Sequence, residues 1–249
     1  SAASDVYKRQ VINQCIDIAV PLNGISTFHE NIHLISVPDK GTSNSRNLAM
    51  LHMKGDIGVF LDDDVVLEHD SMIRIANAYI EHKDADIITF QSQYFSGKYF
   101  KSYSDNSFKH NKYTLKNISD IEITFRKTII EKKVLFNTLF GLGAKFPLGE
   151  YLIFLTDCYN AESNMYYVPG VIVKHPDCLH SGIQFIQNYE EGRGALFACL
   201  SKYLFPFMIF YFAIRKYSMY KNKHSFWREV YFMFKGAITV SYTHLRAHE

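Results

Sequence analysis

Residues 59–65, Val-Phe-Leu-Asp-Asp-Asp-Val, set the strongest limit on what this 249-residue chain can become. A short apolar run that reads as a strand ends in Asp62, Asp63 and Asp64. Three adjacent carboxylates repel one another unless a cation sits among them. A divalent ion is the economical choice, because Mg²⁺ and Mn²⁺ take one or two protein carboxylates and complete their shells with phosphate and water. The carboxyl ends of strands in open α/β sheets are also where such folds bind ligands. A solvated acidic turn accounts for the same residues, so the triplet alone leaves both readings open.

The residues upstream favour a ligand. Lys40-Gly41-Thr42-Ser43-Asn44-Ser45-Arg46-Asn47 reads as a glycine loop entering a helix, with Ser43, Asn44 and Ser45 all competent N-caps. The helix is expected to stop at Lys54-Gly55-Asp56, with Gly55 in the left-handed closing position. A strand over 57–61 then delivers the acids. Free N–H groups, a positive helix end and Arg46 thereby fall near the carboxylates, a cradle suited to a diphosphate. Arg46 is equally able to form a structural ion pair with Asp56 or another nearby acid.

Gly41-x-Ser43-x-Ser45-Arg46-Asn47, then Gly55-Asp56, then Leu61-Asp62-Asp63-Asp64 resembles glycosyltransferase family 2, over roughly Val11 to Gly194. The resemblance implies an α/β chain of the GT-A nucleotide-sugar-binding fold, a Rossmann-like mixed sheet flanked by helices. It implies that Gly41, Ser45, Arg46, Asn47, Asp62, Asp63 and Asp64 bind a nucleoside-diphosphate sugar donor. Asp62 and Asp64 would hold Mn²⁺ or Mg²⁺ as a DXD motif. Phe140-Gly141-x-Gly143-Ala144-x-x-Pro147-x-Gly149-Glu150 resembles the acceptor-side acidic motif, making Glu150 the general base. Val168-Pro169-x-x-Ile172-x-x-His175 and Ser181-Gly182 resemble the closing segment, with His175 a metal or diphosphate contact or a packed histidine. Many members carry a second acid after the glutamate, where this chain has Tyr151. Glu150 could also be simply an acid favoured by its helix dipole.

Residues 1–10 and 241–249 resemble translated sequencing-adapter sequence, so fold reasoning is confined between them. The expected division is a GT-A domain over 11–195 and a C-terminal helical segment over 196–240. About 20 residues separate Val20-Pro21 from Gly41, too few for a βαβ unit of ~30. Val11–Gln14 is therefore expected to be the second strand of the fold and Ile32–Val37 the third, the first being absent and the chain a fragment.

A hydrophobic share of 47% and 15% aromatics suffice for a sizeable core, and a net charge of +2 without a dense basic stripe argues against nucleic acid. Cys15, Cys158, Cys178 and Cys199 lack Cys-x-x-Cys spacing and read as reduced, mostly buried thiols in a cytoplasmic protein. Helices are expected over 71–82 and 150–160, and strands over 86–91 and 121–125. Two short strands are expected over 165–168 and 171–173, and an irregular or hairpin excursion over 92–117. Tyr94, Tyr99 and Tyr103 are ordinary loop aromatics or sugar-stacking rings. Arg193 is a phosphate contact or part of a turn or helix start.

Tyr203 to Ile214 is twelve residues without a charge, flanked by Lys202, Arg215, Lys216, Lys221 and Lys223. A membrane span needs about 20 apolar residues. The segment either lies at an anionic membrane surface, at the inner face of the plasma membrane, or packs on the transferase domain. The resemblance implies an inverting transfer from a UDP sugar to a glycan or lipid-linked acceptor in surface-polysaccharide synthesis. The alternatives are a metal-dependent nucleotidyltransferase or phosphohydrolase, or a non-catalytic GT-A module that binds glycan or a partner.

Overall fold

One strand organises the sheet in the computed structural model, which describes residues 9–14, 32–37, 40–177 and 189–246. In chain order the elements are β1 (Arg9–Gln14), β2 (Ile32–Val37), α1 (Thr42–Leu51), β3 (Ile57–Val59), β4 (Val66–Leu67), α2 (Ser71–Glu81) and β5 (Ile87–Tyr94). Then come β6 (Phe108–Lys109), β7 (Ile123–Arg126), α3 (Thr128–Glu131), α4 (Glu150–Asn160) and β8 (Met165–His175). Four helices complete the order, α5 (Tyr189–Leu200), α6 (Phe205–Arg215), α7 (Tyr217–Tyr220) and α8 (Phe226–Arg246). β5 is the organising strand, antiparallel to β7 on one side and parallel to β8 on the other. The sheet runs β3-β7-β5-β8-β4, with β6 also on β8, and β1 and β2 form a parallel pair in their own sheet.

The chain divides into two compact units. The first comprises Ser1–Lys40, Asn44–Leu135 and Phe154–Leu179, the second Gly41–Ser43, Phe136–Ile153 and His180–Glu249. In the first unit β5 is buried from Ile87 to Ser92, so both its faces are covered. Ile88 and Phe90 pack with Ile75, Ala78 and Tyr79 of α2 and Ile172 and Val173 of β8. The other face is polar but satisfied, as burial requires. Thr89 meets His110 Nε2 at 2.8 Å, and Gln91 donates to the Tyr167 hydroxyl at 2.7 Å. Arg126 closes the end of α2, donating to the carbonyls of Tyr79 and Ala85 at 3.0 and 2.8 Å. Asp86 ties the foot of β5 to Thr128, Lys132 and the Asn164 N–H at 2.6, 2.7 and 2.9 Å. Burial pushes its carboxyl up, but these donors together hold it below the ordinary value.

The stretch 165–175 is one strand, not two. Its partner register shifts between Thr89 and Gln91 and again between Gln91 and Ser92, so the Pro169-Gly170 residues are absorbed as irregularities instead of ending pairing. Gly55 does not have a left-handed backbone. The helix ends earlier, at Leu51, where the His52 and Met53 N–H groups reach back to the Leu48 and Met50 carbonyls.

In the second unit α5 and α8 cross with almost no room between them. A Cβ on Gly194 would lie 1.7 Å from the Met233 carbonyl oxygen, and one on Gly236 would lie 1.8 Å from that of Glu191. Beside this crossing, Ile209 and Ala213 of α6 pack with Val230, Met233 and Ala237 of α8. Pro206 sits in the first turn of α6, where no backbone N–H is required. Arg193 lies within α5, its guanidinium 3.8 Å from the Phe212 ring centre and 4.4 Å from that of Tyr189. That sandwich makes it a packing residue, not a turn residue. Residues 241–246 continue α8.

Candidate functional site

β3 ends where Phe60 is buried, stacked on Phe125 at 4.6 Å and edge-on to Phe154 at 6.3 Å. The two rings hold the strand end, and the chain then turns outward, placing Asp62, Asp63 and Asp64 at the surface. Arg46, buried on α1, reaches this point. Its Nη2 binds Asp120 Oδ2 at 2.7 Å, lies 3.6 Å from Asp62 Oδ1, and the guanidinium covers Phe60 at 5.7 Å. One cation thus serves two carboxylates. Although the Asp62 side chain keeps 45% of its exposure, partial desolvation chiefly, then the charge of Asp120, pushes its carboxyl up to about 6, against the pull of Arg46, with Asp64 and Asp63 adding to the rise.

Asp64 faces His175 at the end of β8, with Oδ2 and Nε2 3.3 Å apart. His175 Nδ1 is 2.7 Å from the Pro176 carbonyl oxygen, which can only accept, so Nδ1 carries a proton. In the neutral ring Nε2 then presents its lone pair toward Asp64, the arrangement commonly found in histidines that bind metals. Phe100 and Tyr94 meet the imidazole edge-on at 5.6 and 6.4 Å and set its plane.

The structure therefore brings Arg46, Asp62 and Asp120 into one cluster and Asp64 and His175 into a pair. Among the described residues, the trio whose donor atoms lie within 4.8 Å of one another is Glu190, His224 and Glu229 in the second unit, not the expected Asp62, Asp64 and His175. The reason is local: Asp62 is turned to Arg46, while Asp64 is turned to the imidazole. Ser45 accepts a hydrogen bond from the Gln14 side chain, and Asn47 is half-buried on α1.

Gly41 and Glu150 belong to the second unit. There the start of α1 is already occupied, because the Thr42 N–H donates to the Leu142 carbonyl at 2.9 Å and the Ser43 hydroxyl to that of Phe140 at 2.6 Å. The helix end expected as an open diphosphate cradle has thus spent its first donor on protein. Glu150, 8% exposed, opens α4 directly after Gly149, whose φ is +85°. The left-handed backbone at Gly149 favours glycine, and a Cβ there would also press on the Leu196 methyls at 2.9 Å. The Glu150 Cγ lies 3.4 Å from a Cβ built on Gly141. Two of the loop tyrosines are engaged within the protein. Tyr94 stacks on Phe100 at 4.3 Å, and Tyr103 donates to the buried Glu122 at 2.6 Å.

Asp120 is the participant that sequence reasoning missed. It stands 74 residues from Arg46, in a one-turn 3₁₀ helix under a Ser119/Glu122 capping box. The capping-box spacing was readable, but nothing in it points to Arg46.

The chain has relatives in sequence family and in fold. The family model described as glycosyl transferase family 2 matches residues 17–141, and the chain belongs to that family. Among solved structures, residues 1–349 of S. aureus TarS in complex with UDP align at a TM-score of 0.60 and 11% identity, covering 88% of this chain and 67% of that one. The same TarS segment in complex with UDP-GlcNAc aligns at 0.64 and 11%, covering 88% and 68%. At such identity the likeness is one of fold, and the mixed sheet with flanking helices is of the GT-A type. This chain spans about two thirds of those structures. No curated protein sequence matches it.

Proposed function

We propose that this chain is an inverting glycosyltransferase that moves a sugar from a UDP sugar to a glycan or lipid-linked acceptor in surface-polysaccharide synthesis. The observation that carries the reading is a charge imbalance. Among the described residues Asp62, Asp63, Asp64 and Asp120 stand near the Arg46 guanidinium and the His175 imidazole, and after desolvation it is the charge of Asp120 that most raises the Asp62 carboxyl. A divalent cation fits that deficit and the donor chemistry of Asp64 and His175, with Asp62 as the further carboxylate. Mn²⁺ or Mg²⁺ bound there would neutralise charge on the leaving diphosphate.

The remaining roles belong to the protein. Arg46, pinned by Asp120, presents a fixed guanidinium to a diphosphate oxygen. Asp63, exposed in the turn, or Asp62 contacts a ribose or sugar hydroxyl. Glu150 takes the proton of the acceptor hydroxyl, a role that rests on the Gly149-Glu150 context. That TarS was solved with UDP and with UDP-GlcNAc supports the choice of uridine diphosphate as carrier. Calorimetric titration of UDP and UDP-GlcNAc, with and without Mn²⁺, tests the reading on the parent and on Asp64→Asn. The expected result is Mn²⁺-dependent binding that Asp64→Asn removes. Binding that ignores both Mn²⁺ and Asp64 would overturn the metal assignment, and failure of every nucleoside diphosphate to bind would overturn the donor assignment.

A further inference from the structure

α6 is apolar on every side, a pattern that ordinarily means complete burial. Among the described residues only one of its faces is covered. Ile209 and Ala213 are fully buried against α8, whereas Phe207, Tyr211 and Ile214, at i, i+4 and i+7, retain 73, 62 and 67% of their exposure. Phe210 extends the same stripe, and Trp227 at the start of α8 is 70% exposed. An amphipathic helix would show polar residues on that side. Here the water-facing side is aromatic and aliphatic.

The charges around the stripe favour one kind of cover. From Lys202 to Arg228 the chain carries six Lys or Arg and no Asp or Glu. Lys202, Arg215, Lys221 and Lys223 are exposed at and beyond the two ends of α6. A second copy of this chain, docking by two-fold symmetry, would set these cations against themselves. An anionic bilayer surface takes both components, the ring stripe at the level of the headgroups and the cations on the phosphates. Spanning is excluded for this element, because 11 residues of helix reach about 16 Å and a hydrocarbon core is about 30 Å thick. No described helix is long and apolar enough to cross a membrane.

We propose that the exposed face of α6, with its flanking cations, docks this protein on anionic membrane surface. The inference stands on the second unit alone and does not depend on the donor chemistry. It is tested by co-sedimentation of the full chain with phosphatidylcholine vesicles, with and without phosphatidylglycerol, at low and high salt. The parent is expected to bind the anionic vesicles alone and to be released by salt. Replacing Phe207, Tyr211 and Ile214 together by serine should reduce partitioning at least ten-fold. Changing Lys202, Lys221 and Lys223 to glutamine should reduce it about five-fold per charge. Circular dichroism of both variants should match the parent, since the replaced side chains are exposed. A parent that stays in the supernatant at low salt overturns the proposal, as does binding that survives the triple serine change. A parent dimer that the serine variant dissociates, without vesicle binding, would assign the face to self-association instead.

Discussion

Gly236→Ala is the sharpest test of how the C-terminal helices pack. On an open helix the change is favourable by about 1 kcal/mol, because alanine restricts the unfolded chain and favours the helix. Here the new methyl would stand 1.8 Å from the Glu191 carbonyl oxygen and 2.6 Å from its carbon. Ordinary contact begins near 3.4 Å, so α5 and α8 must separate locally by about 1.6 Å. The obstacle is backbone, not a side chain that can rotate away, and the reciprocal contact of Gly194 with Met233 would be opened as well. Overpacking of this kind costs typically about 1–3 kcal/mol. With the cost at its upper end and the propensity gain subtracted, the expected net loss is about 2 kcal/mol. For a chain of this size that lowers the melting temperature by about 4–8 °C. Scanning calorimetry on the parent, Gly236→Ala and Gly55→Ala gives the comparison. A Cβ at Gly55 meets nothing closer than 3.8 Å, so that variant should melt at or slightly above the parent. A Gly236→Ala protein as stable as the Gly55→Ala control would refute the close crossing.

Three further outcomes are expected. Glu150→Gln should retain UDP-GlcNAc binding and lose turnover by about 10²-fold or more, the usual scale for a general base, and unchanged turnover would remove Glu150 from the chemistry. His175→Gln should weaken Mn²⁺-supported UDP binding while leaving the melting temperature within a few degrees, whereas a large loss of stability with unchanged binding would make His175 a packing residue. Asp86→Asn should destabilise the protein at neutral pH. Because the folded Asp86 carboxyl lies below its ordinary 3.8, its contribution is complete above that pH and fades as pH falls through the folded value. The denaturation curves of parent and Asp86→Asn should therefore converge in acid, and a gap independent of pH would refute the argument.

What the sequence disclosed divides along a physical line. Features carried by neighbouring residues were legible. The 3.6-residue spacing of Met72, Ile75, Ala76 and Tyr79 marks α2 to within a residue, and Gly149-Glu150 marks the start of α4. The apolar runs marked β2 and β5, and the tyrosine-rich excursion after β5 does begin with a tight turn in which the Gly97 N–H donates to Tyr94. Features that depend on which side chain arrives from elsewhere were not legible. The acid triplet announces a need for positive charge, yet it does not say that Asp62 will turn to Arg46 and Asp64 to His175. Nor does the Pro169-Gly170 pair, which locally reads as a break, disclose that β5 supplies enough partners to carry the strand through it.

Asp120, invisible to local pattern, bears directly on the electrostatics of the acid cluster. Its carboxylate competes with Asp62 for Arg46 at 2.7 against 3.6 Å, and its charge is the largest after desolvation among the influences that raise Asp62. Asp120 thereby orients the guanidinium while keeping Asp62 short of counter-charge. Asp120→Asn should release both effects together. No longer held by the Asp120 charge, Arg46 would draw closer to Asp62, and the Asp62 carboxyl would fall from about 6 toward its ordinary range. Carbon-detected NMR titration of the aspartate carboxyls reads that fall directly in the metal-free protein. If Asp62 titrates unchanged in Asp120→Asn, the cluster is not coupled through Arg46, and the charge imbalance that motivates a cation at this site loses its main support.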